Sequence, residues 1–180
     1  LGRWSPRAFA EDALDEAQVA ALFEAARWAP SSSNEQPWVF LYARRPEDRA
    51  LYLDLLSDGN RNWAGRVPLL VFLAARRTFA RNDRPNRHAA FDSGAAWLAL
   101  ALQARRLGLH AHAMGGFDRE RAHDALGLDP ERYELLVAIA IGRRADPAAV
   151  LPPDLQERER PNGRRLTSDF VFEGRLPRDG

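Results

Sequence analysis

Cysteine is absent from the 180 residues, and so is lysine. The first absence excludes disulfides, thiolate nucleophiles and thiolate metal ligands, and fits a reducing compartment. The second makes all 26 cationic side chains arginine, set against 25 carboxylates for a formal net charge of +1. A balance so close to neutral gives no ground for nucleic acid or a membrane surface as partner. No apolar run is long enough to span a bilayer, and the opening "LGRWSPRAF" lacks a hydrophobic signal segment, so a cytoplasmic protein is expected. Three motifs are also missing. No G-x-G-x-x-G follows any strand, which argues against a Rossmann-type dinucleotide domain. No G-x-S-x-G elbow supports a serine hydrolase, and no H-E-x-x-H supports a zinc site.

What remains is patterned as one α+β domain over 1–180, long enough for a core of its own. Asp15 and Gln18 form a capping-box pair, and Val19, Leu22, Phe23 and Ala26 recur at helical spacing, predicting a helix over 16–28 that Pro30 ends. "WVFLYA" (38–43), "LLVFLAA" (69–75) and "ELLVAIAIG" (134–142) read as buried strands. A helix of about 47–57 follows Pro46, and an Ala- and Leu-rich helix runs over 89–107 to Gly108 at the C′ position. "HAHAM" is a short extended piece before Gly115 and Gly116, and Asp118 caps a helix reaching Leu126. From Arg143 the chain is charged and punctuated by Pro147, Pro152, Pro153, Pro161 and Pro177. With so few apolar residues, this tail is expected to lie across another surface through Phe170, Val171 and Phe172, and a partner subunit is the natural one.

Candidate chemistry concentrates in three places. "RWSPRAF" near the start and "NGRRLTSDFVF" near the end each carry an arginine pair, and the two could converge on one phosphate, because guanidinium forks suit phosphate oxygens. Taken singly, each pair also reads as solvated surface arginine. "WAPSSSNEQPWVF" packs three hydroxyls and two amides between prolines, with tryptophans on either side. Its own residues leave two readings open, a donor-rich ligand loop or a tight turn between helix and strand. His110 and His112, two apart on an extended piece, would need converging carboxylates to hold a metal, and read more simply as polar residues at a strand edge.

Taken together these blocks resemble the nitroreductase family of FMN-dependent oxidoreductases. Its opening Arg-x-Ser-x-Arg/Lys-x-Phe motif is matched by Arg3, Ser5, Arg7 and Phe9, and its helix-to-loop signature by "EAARWAPSSSNEQPW". "GNRNWA" (59–64), "DSGAAWLALALQARRLGL" (92–109), "HAMGGFD" (112–118), "AIG" (140–142) and "RRLTSDFVF" follow in the family's order.

The resemblance implies an α+β fold with a mostly antiparallel sheet flanked by helices, a homodimer with non-covalent FMN at its interface, and a C-terminal extension (143–180) embracing the partner. It places Arg3, Ser5, Arg164 and Arg165 at the FMN phosphate and ribityl end, and Arg7 at the pyrimidine edge, as an electrostatic stabiliser of the reduced ring. Asn60 is expected to bond the same ring, with Asn62 as a poorer substitute. Met114, Gly115 and Gly116 are expected to run beside it, while Pro30, Ser31, Ser32 and Asn34 come from the other subunit. Trp4, standing where many members have a second basic residue, would contribute only its backbone. Gly115 replaces a glutamate found in some members, and no longer helical insertion covers the site. The implied activity is NAD(P)H-dependent reduction of nitroaromatics, quinones or similar acceptors in alternate half-reactions. FMN storage, sensing or cleavage is the alternative, and no metal is implied.

Overall fold

A computed structural model describes residues 2–176; Pro177, the last proline of the tail, lies outside the described residues. The chain folds as helix α1 (Glu16–Arg27), strand β1 (Trp38–Ala43), α2 (Pro46–Asp54), α3 (Asp58–Ala64), β2 (Leu69–Arg76), α4 (Ala89–Arg106), β3 (His110–Met114), α5 (Arg119–Ala125) and β4 (Tyr133–Gly142). Two one-turn helices, α6 (Pro147–Val150) and α7 (Pro153–Gln156), follow, and short 3₁₀ turns occupy Ser32–Asn34 and Thr167–Asp169.

The four strands form one antiparallel sheet in the order β1-β2-β4-β3. Central β2 is apolar and buried from Leu69 to Ala75 because both its faces are covered. Leu70, Phe72 and Ala74 point into a core with Tyr52, Leu55 and Trp63 of the α2–α3 side, while Leu69, Val71 and Leu73 meet Leu22, Leu100 and Ala104 of α1 and α4. In β4, Ala138 and Ala140 face the first core and Ile139 and Ile141 the second, yet Leu135 also faces the first. The register breaks where Leu73 pairs with Val137 but Ala74 with Leu135, so a bulge at Leu136 restores the alternation. Each fully buried Leu, Ile or Phe in these layers contributes about 1.5–3 kcal/mol.

The helix signals act as read. Asp15 and Gln18 close the capping box of α1, with the Gln18 N–H 2.7 Å from the Asp15 carboxylate, and Gly108 ends α4 at φ +73. Two elements differ from expectation. α2 stops at Asp54 because Leu56 pairs with Phe117 in an isolated antiparallel bridge, and the Asp118 N–H donates to the Leu55 carbonyl at 2.9 Å. The chain then starts α3, which the sequence did not announce. The first part of the tail is not coreless either, since Leu151, Leu155 and Glu159 are buried against the chain's own body, and continuous exposure begins only at Arg160. Among the described residues no helix is long and apolar enough to cross a membrane.

Candidate functional site

The N-terminal segment is tied to the end of β4. Phe9 bridges Arg144, the Ala10 N–H donates to the Arg143 carbonyl at 3.0 Å, and buried Phe9 stacks on Trp63 at 6.1 Å. Glu159 then closes the other side. Its carboxylate, on a residue only 7% exposed, accepts the Arg7 N–H at 3.0 and 2.9 Å and the Ala8 N–H at 3.0 Å. This clasp lays the chain after Glu159 over the N-terminal segment, and an Arg164 Nη2 donates to the Arg3 carbonyl at 3.4 Å.

Between them lies a cleft of 220 Å³. Arg3, Trp4, Ser5 and Arg7 form one wall, Arg158, Arg160, Asn162 and Arg164 the other, and His112 the floor. Five guanidiniums line it. Among the described residues none of the five forms a salt bridge, and the one nearby carboxylate, Glu159, is spent on backbone N–H groups. Such a concentration of guanidiniums without a carboxylate partner suits a phosphate. The two arginine clusters do converge, with one exception: Arg165 turns away to donate to the Asp169 carbonyl at 2.6 Å. The Trp4 ring packs edge-on to His110 and under the Arg144 guanidinium.

His112 stands in β3 with its ring stacked on Trp63 at 4.7 Å and its Nδ1–H donating to the Pro6 carbonyl at 2.8 Å. Burial lowers its pKa, the Pro6 bond opposes this, and Arg7 adds to the lowering, so the cleft floor is a neutral imidazole with Nε2 as acceptor. His110 is pushed down to about 4 by burial and by the charges of Arg105 and Arg144. An arginine 2.9 Å from the ring of His110 opposes a metal there, and among the described residues no group of three or more His, Asp or Glu is placed to hold one.

β3 is an edge strand, and its exit at Gly115 is about 10 Å beyond His112 at the usual rise per residue. There the Gly116 carbonyl accepts from the Ser57 N–H at 3.0 Å and from the Asn60 Nδ2 at 2.9 Å. A Cβ on Gly116 would meet Ser57 Oγ at 2.7 Å and Asn60 Nδ2 at 2.8 Å, so a larger residue would displace the side chains that grip this carbonyl. Gly115 is open to its surroundings. Asn60 is therefore held beside the β3 exit with one amide hydrogen already engaged. Asn62 is exposed on α3, and the Met114 side chain is buried in the core, leaving only its backbone toward that edge.

The serine loop lies elsewhere. The Gln36 N–H donates to Ser31 Oγ at 2.9 Å, the Gln36 amide donates to the Asn34 carbonyl, and Ser33, Asn34 and Gln36 all have positive φ. Buried Asp92 accepts the Ser32 N–H at 3.0 Å. Many of the loop's polar groups thus serve the turn itself. Its outer face, Pro30, Ser31 and Ser32, opens onto a hollow of 260 Å³ with Phe91 and Asp92. That hollow shares no residue with the arginine cleft, so within one chain the two groups of candidate residues stand apart.

Glu159, Arg158 and Arg160 were not anticipated, Asn162 was read only as part of the C-terminal arginine block, and His112 was weighed only as a metal ligand or a strand-edge residue. Arg158 and Arg160 sit in a turn after α7, and the density of arginines from 158 to 165 is the one signal in the sequence that pointed to them.

This architecture has counterparts. The sequence profile of the Nitroreductase family matches residues 1–62 and 56–143. A Streptomyces coelicolor protein provisionally named NADH dehydrogenase/NAD(P)H nitroreductase is 30% identical over 162 residues, 78% of this chain and 79% of that protein. The crystal structure of an oxidoreductase containing FMN matches with a TM-score of 0.92 at 40% identity, over 97% of this chain and 89% of the other. A Desulfovibrio desulfuricans protein, provisionally termed a nitroreductase and crystallised in complex with FMN, matches with a TM-score of 0.74 at 26% identity, over 97% and 94% of the two chains. The chain belongs to the nitroreductase family, and it is an oxidoreductase of that α+β fold.

Proposed function

We propose that this chain is an FMN-dependent NAD(P)H oxidoreductase acting on small oxidised acceptors such as nitroaromatics or quinones, and that its site is shared by two copies of the chain. The observation that carries the reading is the arginine cleft: five guanidiniums without a carboxylate partner, together with Ser5, form a receptor for a phosphate monoester, and Gly115, with open space about it, leaves a backbone edge for a flat ring. FMN, when bound, supplies the hydride chemistry, accepting from the nicotinamide and delivering to the acceptor.

The chain's residues then have distinct tasks. Arg3, Ser5 and Arg164, joined by Arg158 and Arg160, hold the phosphate and ribityl end. Arg7, fixed through its own N–H by Glu159, sets a positive charge that stabilises negative charge at the pyrimidine edge. Asn60, Gly115 and Gly116 border the ring, and Trp4 contributes backbone. Arg165, which points at Asp169, is left to the tail. Pro30, Ser31, Ser32 and Asn34 complete the site of the partner, which accounts for their distance from the cleft of their own chain.

A homodimer is supported by what one chain leaves uncovered. Phe91, Leu98 and Leu102 lie along one side of α4 at 80, 49 and 38% exposure, and Leu166, Phe170, Val171 and Phe172 are exposed on the tail. A wrapping extension would start after Glu159 rather than at Arg143. The cysteine-free composition suits action in the cytoplasm.

An anaerobic titration of the purified protein with NADH and NADPH, followed in the flavin absorption band, tests the reading. Bleaching by a nicotinamide and recovery on adding a quinone or nitroaromatic are expected. Bound FMN that neither donor bleaches would overturn it, and oxygen-dependent loss of the flavin would favour cleavage instead.

A further inference from the structure

The β2–α4 connection builds a second charged hollow, of 510 Å³, beside the serine loop. Its frame is a tight hairpin. Thr78 bridges Pro85, the Phe79 N–H donates to the Arg84 carbonyl and the Asp83 N–H to the Phe79 carbonyl, both at 2.9 Å, and Asp83 turns the tip at φ +53. Glu35, whose side chain is 7% exposed, accepts from both the Ala80 N–H and Arg76, and so fastens the hairpin to the serine loop.

Arg81, Arg84 and Arg87 project from this frame into the hollow with His88. The Arg81 guanidinium rests over the Phe79 ring at 4.7 Å. Among the described residues none of the three forms a salt bridge; of the acidic groups nearby, Glu35 is engaged by Arg76 and the Ala80 N–H, buried Asp92 accepts the Ser32 N–H, and Asp83 is exposed at the tip. Ser32 and His88 line this hollow and the Pro30–Phe91 hollow alike, so the two adjoin. Three guanidiniums therefore stand at the outer end of a trench whose inner end is the serine loop, assigned above to the flavin of the partner subunit.

We propose that the Arg81–Arg84–Arg87 hairpin is a phosphate-binding site for the distal end of the nicotinamide donor, which selects a dinucleotide carrying a 2′-phosphate on its adenosine ribose, NADPH, over NADH. The inference rests on the flavin reading of the inner end. A donor stacked there extends its adenosine half along the trench, and a phosphate dianion is the group that three unpaired forks distinguish from a hydroxyl. Without a Rossmann motif, this hairpin supplies the discrimination that such a fold places elsewhere.

The test measures binding of adenosine 2′,5′-bisphosphate and of 5′-AMP by calorimetry, together with the kcat/KM ratio for NADPH against NADH. The wild type, Arg84→Ala, the triple variant Arg81→Ala/Arg84→Ala/Arg87→Ala, and Arg106→Ala as an exposed control on α4 are compared, with FMN content recorded for each. The bisphosphate is expected to bind the wild type at least about tenfold tighter than 5′-AMP. Arg84→Ala is expected to lose about tenfold of bisphosphate affinity and the triple variant the whole preference, with the NADPH:NADH ratio falling in step and Arg106→Ala unchanged. Equal binding of the two nucleotides to the wild type, or an unaltered preference in the triple variant, would overturn the proposal. Loss of FMN in the triple variant with nucleotide preference retained would also overturn it, since the cluster would then serve the flavin phosphate. Calorimetry reads the nucleotide with or without flavin. Failure of either donor to reduce FMN therefore counts against the proposed function, and failure to discriminate the nucleotides counts against this site.

Discussion

Glu159 is the residue on which the geometry of the cleft turns. A buried carboxylate is tolerated here because three charge-assisted contacts from the Arg7 and Ala8 N–H groups replace its water, and those contacts fix the backbone that carries Arg3, Ser5 and Arg7. Glu159→Gln puts an amide N–H₂ against backbone donors. We expect it to lower stability by about 2 kcal/mol in urea unfolding and to weaken FMN binding about tenfold, while Glu157→Gln, exposed two residues away, changes neither. Equal FMN affinity in the Glu159 variant would show that the clasp does not position the cleft. Nothing in "QERER" separates Glu159 from its neighbours, because alternating charge reads as a solvated face until tertiary structure buries one member. Arg3 and Ser5 stood out through the spaced opening motif and Arg164 through the closing basic block of the family resemblance. Arg165 was not separable from Arg164, since adjacent side chains on an extended segment take opposite sides and the sequence does not say which faces in.

At the scale of elements, the long apolar patterns decided what could be read. β2, β4 and α4 carry runs that only a covered sheet or a central helix can bury, so their positions followed from periodicity. α3 was missed because "DGNRNWA" is short, polar and contains Gly59. Its place depends on Ser57 and Asn60 gripping the Gly116 carbonyl, a contact made 56 residues along the chain. The serine loop was undecidable from its residues for a related reason: the same donors close the turn and form its outer face. α4 makes a prediction of its own. Leu98 lies on its exposed apolar side, so Leu98→Arg should convert a dimer to a monomer in analytical ultracentrifugation while leaving the helical circular dichroism signal intact. A dimer of unchanged stability would place the interface elsewhere.

For the molecule as a whole, the proposed function implies that one chain carries two halves of different sites. The arginine cleft and the serine loop share no lining residue, yet both answer to the same ligand if two copies meet across α4 and the tail. The resemblance to the family already implied that the loop serves the other subunit; spacing along the chain alone did not, because it does not report which side of the sheet a segment reaches. A subunit-mixing experiment addresses this directly. Arg3→Ala/Arg164→Ala removes the phosphate half from one chain, and Ser31→Ala/Asn34→Ala removes the loop half from another. Each homodimer should retain FMN poorly. A mixed dimer carrying one chain of each kind contains one intact site and one doubly defective site if the halves come from different subunits, and the account predicts recovery of one tightly held FMN per mixed dimer. If each site were built within a single chain, every site in the mixed dimer would keep one defect, and no recovery of FMN would contradict the account.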